Sequence, residues 1–292
     1  VSRHAATIHP LDPLSADELR ATREVLAAAG KLSERTRLAL VMPEEPPKEQ
    51  VLAAERGGEP LDRRALVAVL DTSDGCTHEA VVSLGRRELV AWREVLTGRH
   101  PYGQPPITNG EFETVDLIVK RDPRWRRAMA DRGVTDLSLV FVAPLSAGQF
   151  GFPEEAGRRM LRSLAFLRHH PEDSPWAHPV DGLVAYVDLV ARRVVEVVDT
   201  GVVPVPAECG NFAPRDQGPG PLALAPLEIR QPEGPGFAVA GNQVSWANWR
   251  LRLSFNAREG LVLHQVRVID GGRERPVLYR ASIAELVVPY AD

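Results

Sequence analysis

The stretch S-A-D-E-L-R-A-T-R-E-V-L-A-A-A-G, Ser15–Gly30, decides how the rest of the chain is read. Ser15 is an N-cap, and Glu18 three residues later completes a capping box. Leu19, Val25 and Leu26 then form an apolar stripe, and Gly30 follows the last helical turn. After this helix the period changes from helical to alternating. Strands are expected at Arg37–Met42, Ala65–Asp71, Glu79–Leu84 and Glu88–Leu96. Between the first two, Pro43–Arg63, with its P-E-E-P-P run and a Gly-Gly pair, reads as a loop. Asp74-Gly75 suits a hairpin turn between the second and third.

The same order then recurs. Beyond a linker at Thr97–Thr108, a helical stretch covers Asn109–Arg132, interrupted at Pro123, because proline lacks the amide hydrogen that a helix interior needs. Strands follow at Ser138–Pro144, Arg158–Arg168, Leu183–Asp188 and Val194–Asp199. Two successive helix-then-four-strand units imply a duplicated α+β module with antiparallel sheets, a repeat of pattern and not of sequence. Gly210–Pro226, rich in Pro and Gly, reads as a second linker. Strands resume at Leu251–Phe255, Gly260–Ile269 and Val277–Val288. In the middle one, Val262, His264, Val266 and Val268 share one face and Gln265 and Arg267 the other, the mark of a half-buried sheet. The expected class is therefore α+β. Two small helix-plus-antiparallel-sheet domains (1–100 and 101–218) precede the first strands of a β-sandwich domain cut short (219–292). A few strands cannot bury both faces by themselves.

Composition narrows the function. The chain has 292 residues, 44% hydrophobic and 25% charged, which is ordinary for globular domains. A net charge of −4 supplies no attraction to nucleic acid or an anionic membrane. Cys76 and Cys209 are the only cysteines, which excludes a disulfide framework or a thiolate zinc site and favours two buried or inert thiols over a bridge between them. No apolar run approaches the ~20 residues that span a bilayer, and the start shows no apolar signal segment, so a cytoplasmic location is expected.

Several segments carry a family resemblance. They are V-A-P-L-S-A-G (Val142–Gly148), R-R-M-L-R-S-L-A-F (Arg158–Phe166) and P-E-D-S-P-W-A-H-P-V-D-G-L-V-A-Y-V-D (Pro171–Asp188). D-T-G-V-V-P-V-P-A-E (Asp199–Glu208), Q-P-E-G-P-G-F (Gln231–Phe237), R-E-G-L-V-L-H (Arg258–His264) and A-S-I-A-E-L-V-V-P-Y-A-D (Ala281–Asp292) follow. In order and spacing they resemble the bacterial copper/topaquinone primary-amine oxidases, over nearly the whole chain and most weakly in its first hundred residues. The resemblance implies that the two small domains are cystatin-like and that the third is the opening of the catalytic β-sandwich. It implies that Asp292 is the general base that removes the α-proton from a substrate Schiff base, a task suited to a carboxylate of raised pKa. Tyr290 would be the gate of the substrate channel, and Phe112, Pro144 and Trp176 would line it. An aromatic funnel favours arylalkylamines.

The family also implies copper and topaquinone, a primary amine and O2 as substrates, and a homodimer for the full-length protein. The residues for the cofactors are not in this chain. Its histidines are His4, His9, His78, His100, His169, His170, His178 and His264, with none of the H-x-H pairing that the family uses for copper. Its tyrosines are Tyr102, Tyr186, Tyr279 and Tyr290, and none lies in the N-Y-D/E motif from which topaquinone is made. A site for zinc at His169, His170 and His178 is disfavoured, because adjacent residues on a strand point to opposite faces.

Other motifs carry no chemistry. Ser146 lies outside a G-x-S-x-G elbow, no P-loop or G-x-G-x-x-G is present, and D-T-S-D-G at Asp71–Gly75 lacks the closing Glu of a calcium loop. The basic stretch Lys120–Arg132 reads as a solvated helix face. The chain is thus expected to be the N-terminal part of a primary-amine oxidase, inactive alone, with no bound copper or quinone. Two alternatives are a non-catalytic interaction module built from the small domains, and a split enzyme whose second chain completes the sandwich.

Overall fold

The structure is a computed structural model, which describes residues 8–95, 103–148, 157–208, 211, 225–283 and 286. It contains three antiparallel sheets and four helices among the described residues. The elements are α1 (Ala16–Ala28), β1 (Thr36–Glu44), α2 (Lys48–Glu55), β2 (Arg64–Asp71), β3 (Thr77–Ser83) and β4 (Glu88–Val95). There follow α3 (Asn109–Arg121), α4 (Pro123–Asp131), β5 (Val140–Ser146), β6 (Met160–Leu167), β7 (His178–Asp188) and β8 (Arg193–Asp199). The last group is β9 (Phe237–Ala240), β10 (Gln243–Trp246), β11 (Trp249–Asn256), β12 (Gly260–Asp270) and β13 (Arg273–Ser282). By compactness the chain divides into two units, one of 1–69, 78–94 and 227–292, the other of 70–77 and 95–226. The first small sheet and the third sheet therefore share one compact unit.

The expected helix-then-four-strand order is present twice. Sheets β1-β2-β3-β4 and β5-β6-β7-β8 both run in simple sequence order. Ser15 caps α1 in a capping box with Glu18. Thr108 and Glu111 form the same box on α3, and Pro123 begins α4, with Asp122 accepting from the Arg124 and Trp125 amides. Each helix layer closes a small core. Val25 and Leu26 pack with Val67, Val69, Ala80 and Val82 in one. Val115, Val119, Trp125 and Met129 pack with Val140, Val142, Leu161 and Ala185 in the other.

Both small domains share a device that no sequence pattern announces. Arg63, just before β2, engages the capping-box Glu18 and donates to the carbonyls of His9, Pro10, Asp12 and Pro13. Arg159, just before β6, engages the capping-box Glu111, and donates to the Pro105 and Pro106 carbonyls and to Gln104 Oε1. In each case one guanidinium ties the helix start and the segment entering it to the second strand. Burial opposes ionisation of both glutamates, but the bonds from their arginine and cap hold both carboxyls below the usual range.

Several expectations change. Pro43–Arg63 is not all loop, since K-E-Q-V-L-A-A-E forms α2 behind Pro47 and buries Val51. Its residues are mostly good helix formers, a signal hidden by the surrounding prolines and glycines. Leu19 is exposed, and Thr22 takes the buried place on α1, with its hydroxyl donating to the Glu18 carbonyl. The strand expected at Leu183–Asp188 begins earlier, at His178. The third sheet has five strands in the order β13-β12-β11-β10-β9, with the β9–β10 hairpin unforeseen. Its last strand runs Arg273–Ser282, and Val287 and Val288 lie outside the described residues.

In that sheet Val262, His264, Val266 and Val268 of β12 are all buried, but they do not all share one face as expected. The register shifts between His264 and Arg267, so His264 on the buried face pairs with Arg252 and Arg280, whereas Val268 pairs with Trp249 on the other. The buried face meets the first small domain through ion pairs, Arg252 to Asp12 at 2.5 Å and Arg280 to Glu45 at 2.8 Å. On the opposite face the register aligns apolar rows. Phe237 pairs with Trp246 and Trp246 with Trp249, Val239 with Val244 and Val244 with Leu251. Leu253 pairs with Leu263, and Phe255 with Leu261. Directly paired side chains stand on one face, and Phe237, Val239, Trp246, Phe255 and Leu261 are all more than half exposed. One face of this sheet is thus packed and the other is open.

Candidate functional site

Of the residues expected to act on substrate, Tyr290 and Asp292 lie outside the described residues. The other three belong to the second small domain. Phe112 sits in the first turn of α3 and is 38% exposed. Pro144 is buried in β5, opposite Ser163 of β6. Trp176, in the loop before β7, is 54% exposed. Its indole meets Phe141 and Phe166 edge-on, with centroids 5.1 and 4.9 Å away. Those phenylalanines are cross-strand partners of β5 and β6. Phe112 follows Glu111, which is tied to Arg159 before the opposite end of β6. The three expected lining residues therefore occupy separate positions, and only Trp176 belongs to an aromatic cluster.

The loop that carries Trp176 is braced by polar groups. The His169 and His170 amides donate to Asp173 Oδ2 at 2.9 and 2.8 Å. Asn211 donates to Asp173 Oδ1 at 2.8 Å, and its own side-chain oxygen accepts from the Ser174 amide at 2.7 Å. These bonds, Asn211's first, hold the Asp173 carboxyl below its ordinary range. The Trp176 amide donates to Ser174 Oγ at 3.3 Å. Beneath it lies His178, fully buried, whose Nδ1 bonds the Pro206 carbonyl at 2.7 Å. That bond makes Nδ1 the protonated nitrogen, because a carbonyl can only accept. Nε2 is then a buried acceptor, without a partner among the described residues.

His169 stacks on His178 with ring centroids 4.0 Å apart. His169 and His170, expected to point apart as neighbours on a strand, lie instead in the turn after β6, and this lets His169 reach His178. Among the described residues no three His, Cys, Asp or Glu side chains gather as metal ligands. Asp173 and Asn211 are site-shaping residues that sequence reasoning missed. Asp173 stood within a quoted motif, whereas Asn211 lies in a Pro- and Gly-rich stretch with no periodicity to mark it. Chemically the cluster offers an aromatic wall on a rigid loop. It can hold an apolar ring by edge and face contacts.

Comparison with known proteins places these features in a family. Residues 15–92 match the AGAO-like N2 domain, 110–212 the copper amine oxidase N3 domain, and 238–292 the copper amine oxidase enzyme domain. The histamine oxidase of Arthrobacter globiformis is 46% identical over 292 residues, 99% of this chain and 42% of that protein. The primary amine oxidase of Klebsiella aerogenes is 32% identical over 97% of this chain and 37% of its own length. The chain thus spans about two fifths of the length of the relatives it matches. A copper-containing benzylamine oxidase from Hansenula polymorpha has the same fold, with a TM-score of 0.76 and 22% identity over 94% of this chain and 44% of that one. Three consecutive domain matches, in family order over almost the whole chain, mean that it belongs to the copper amine oxidase family and holds its N2 and N3 domains with part of its enzyme domain.

Proposed function

We propose that this chain is part of a primary-amine oxidase which, when complete, converts a primary amine and O2 to an aldehyde, ammonia and hydrogen peroxide. The observation that carries the reading is the 46% identity over 99% of the chain to a histamine oxidase, together with the match of 238–292 to the enzyme domain. In this reading Asp292 abstracts the α-proton, Tyr290 gates the channel, and Phe112, Pro144 and Trp176 line it. The exposed indole of Trp176 on Phe141 and Phe166 supports an arylalkylamine as substrate, because edge and face contacts stabilise a bound ring.

The residues of this chain do not fit the family's copper or its quinone. No H-x-H and no N-Y-D/E occurs in the sequence, and no described cluster offers three ligands. Sequence outside these 292 residues would hold both groups and complete the homodimer. It would also cover the open apolar face of the third sheet, where Trp246 and Phe255 stand exposed. The chain alone is then inactive. Incubated with Cu(II), O2 and phenethylamine, it is expected to evolve no peroxide and to give no quinone redox stain. A positive result in either assay overturns this. In the complete enzyme, Asp292→Asn is expected to lower kcat by about 10²–10⁴ while leaving the quinone stain intact. An unchanged kcat would remove Asp292 from the role of base.

A non-catalytic interaction module remains the second reading, favoured by the separate core in each small domain. It predicts a cooperative melt for a chain ending at Pro214. Such a chain loses the partners that Asp12, Glu45 and Glu55 find in Arg252, Arg280 and Arg267. An aggregating, non-cooperative product would exclude the module.

A further inference from the structure

Two adjoining cavities lie between α2 and the β11–β13 part of the third sheet, within one compact unit. The smaller, about 210 Å³, is walled by Arg250, Arg252 and Arg267 with His9 and Gln243. The larger, about 630 Å³, runs over Leu52, Val277, Leu278 and Tyr279. Glu55, Gln265, Arg267 and Glu274 line both, so they form one cleft with a polar and an apolar end.

The polar end has more donors than the protein satisfies. Arg252 is paired with Asp12, and Arg267 with Glu55 and Glu274. Among the described residues Arg250 has no ion pair, and its guanidinium donates to the Trp249 carbonyl at 2.9 Å. Arg252 Nε is buried without a partner among the described residues. Glu55 cannot make up the shortfall, since it already accepts from His9, Gln265 and Arg267. At the other end, Val277 and Leu278 are 45% and 47% exposed. Lys48 lies over the Tyr279 ring at 5.4 Å, and neither it nor Arg56 has an ion pair among the described residues.

We propose that this cleft binds an amphipathic carboxylate, with its head on Arg250 and Arg252 and its apolar body along Leu52, Val277 and Leu278. A guanidinium fork matches a carboxylate in geometry and charge, and the apolar strip gains from being covered. The head belongs at the arginine end for a second reason. At the tyrosine end burial, and after it Glu45, Glu55 and Glu49, disfavour ionising the Tyr279 phenol, so the cations Lys48 and Arg56 there share their surroundings with carboxylates. An amine of the same shape would meet the guanidinium of Arg250.

Titration calorimetry of the 292-residue chain with 4-phenylbutyrate, 4-phenylbutylamine and inorganic phosphate tests this. Saturable binding of phenylbutyrate alone is expected. Arg250→Ala should weaken it at least tenfold, and Leu278→Ser severalfold, with unchanged circular dichroism. Arg250→Lys keeps the charge on the sheet without the fork, and should also weaken binding. Equal affinity for the amine, phosphate binding as tight as phenylbutyrate, or an unaltered affinity in Arg250→Lys would each overturn the proposal.

Discussion

At the scale of single residues, two positions concentrate the physics. Gly182 in β7 has φ +72°, and a Cβ there would meet the Gly201 carbonyl and Thr200 Oγ1 at 2.9 Å. Both the backbone conformation and the space exclude a side chain. Gly182→Ala should therefore destabilise the second small domain by about 1–3 kcal/mol, read as a lower urea midpoint at unchanged slope. His264 is fully buried in the row Arg252–His264–Arg280 that the register draws across β11, β12 and β13. Its Nε2 bonds Ser254 Oγ at 2.7 Å. Burial keeps its pKa below the ordinary imidazole value. Glu45 opposes this, and Arg280, Arg252 and His9 reinforce it. In the unfolded chain the same group titrates at about 6.5. Below that pH the unfolded state takes up a proton that the folded state refuses, so His264 supports stability above about 6.5 and withdraws it as the pH falls. Glu259 acts in the same direction at lower pH. Its bonds to Arg280, against burial, hold its carboxyl at about 2. Its contribution is present above the unfolded carboxylate range and is lost as pH falls towards 2. The melting temperature should thus decline in two stages on acidification, and His264→Gln should flatten the upper stage alone.

At the scale of elements, the two arginine clamps explain why each helix sits where it does. Arg159 and Glu111 are almost wholly buried, with side chains 6% and 9% exposed. Removing one partner strands the other's charge in a poorly solvated place. Arg159→Ala should cost about 3–5 kcal/mol, and the equivalent Arg63→Ala less, since that pair is 14% and 13% exposed. Chemical denaturation of both variants checks the order, and a larger loss in Arg63→Ala would reverse it. The helices themselves were legible in the residues, because Ser15 with Glu18 and the break at Pro123 act within a few positions of each other. The clamps were not legible. Arg63 and Arg159 are two arginines among many, and what distinguishes them is a guanidinium reaching back across 45 and 48 residues. Helix α2 lies between these cases, locally encoded by K-E-Q-V-L-A-A-E but masked by its surroundings.

At the scale of the whole molecule, the open face of the third sheet is the feature with consequences. Contiguous exposed aromatics of this kind mark a surface that expects a partner. The chain should bind the dye 1-anilinonaphthalene-8-sulfonate and associate as concentration rises, and Phe255→Arg with Trp246→Arg should suppress both, as followed by fluorescence and sedimentation. Dye binding unchanged in the double variant would place the sticky surface elsewhere. Much of the architecture was determined by sequence alone: class, the repeated helix-and-sheet order, which residues of β12 are buried though not that they divide between two faces, and the family. Those features rest on short-range periodicity, capping and turn chemistry, and on motifs that keep their order. Tertiary structure alone decided that the first small domain packs in one unit with the third sheet, through Arg252–Asp12 and Arg280–Glu45, pairs separated by more than two hundred positions. It alone decided that His169 meets His178, that Asn211 braces the loop of Trp176, and that Arg250 has no ion pair among the described residues. Charge pairing and orphaned donors depend on distance in space, and distance in space between remote residues is set only when the chain has closed on itself.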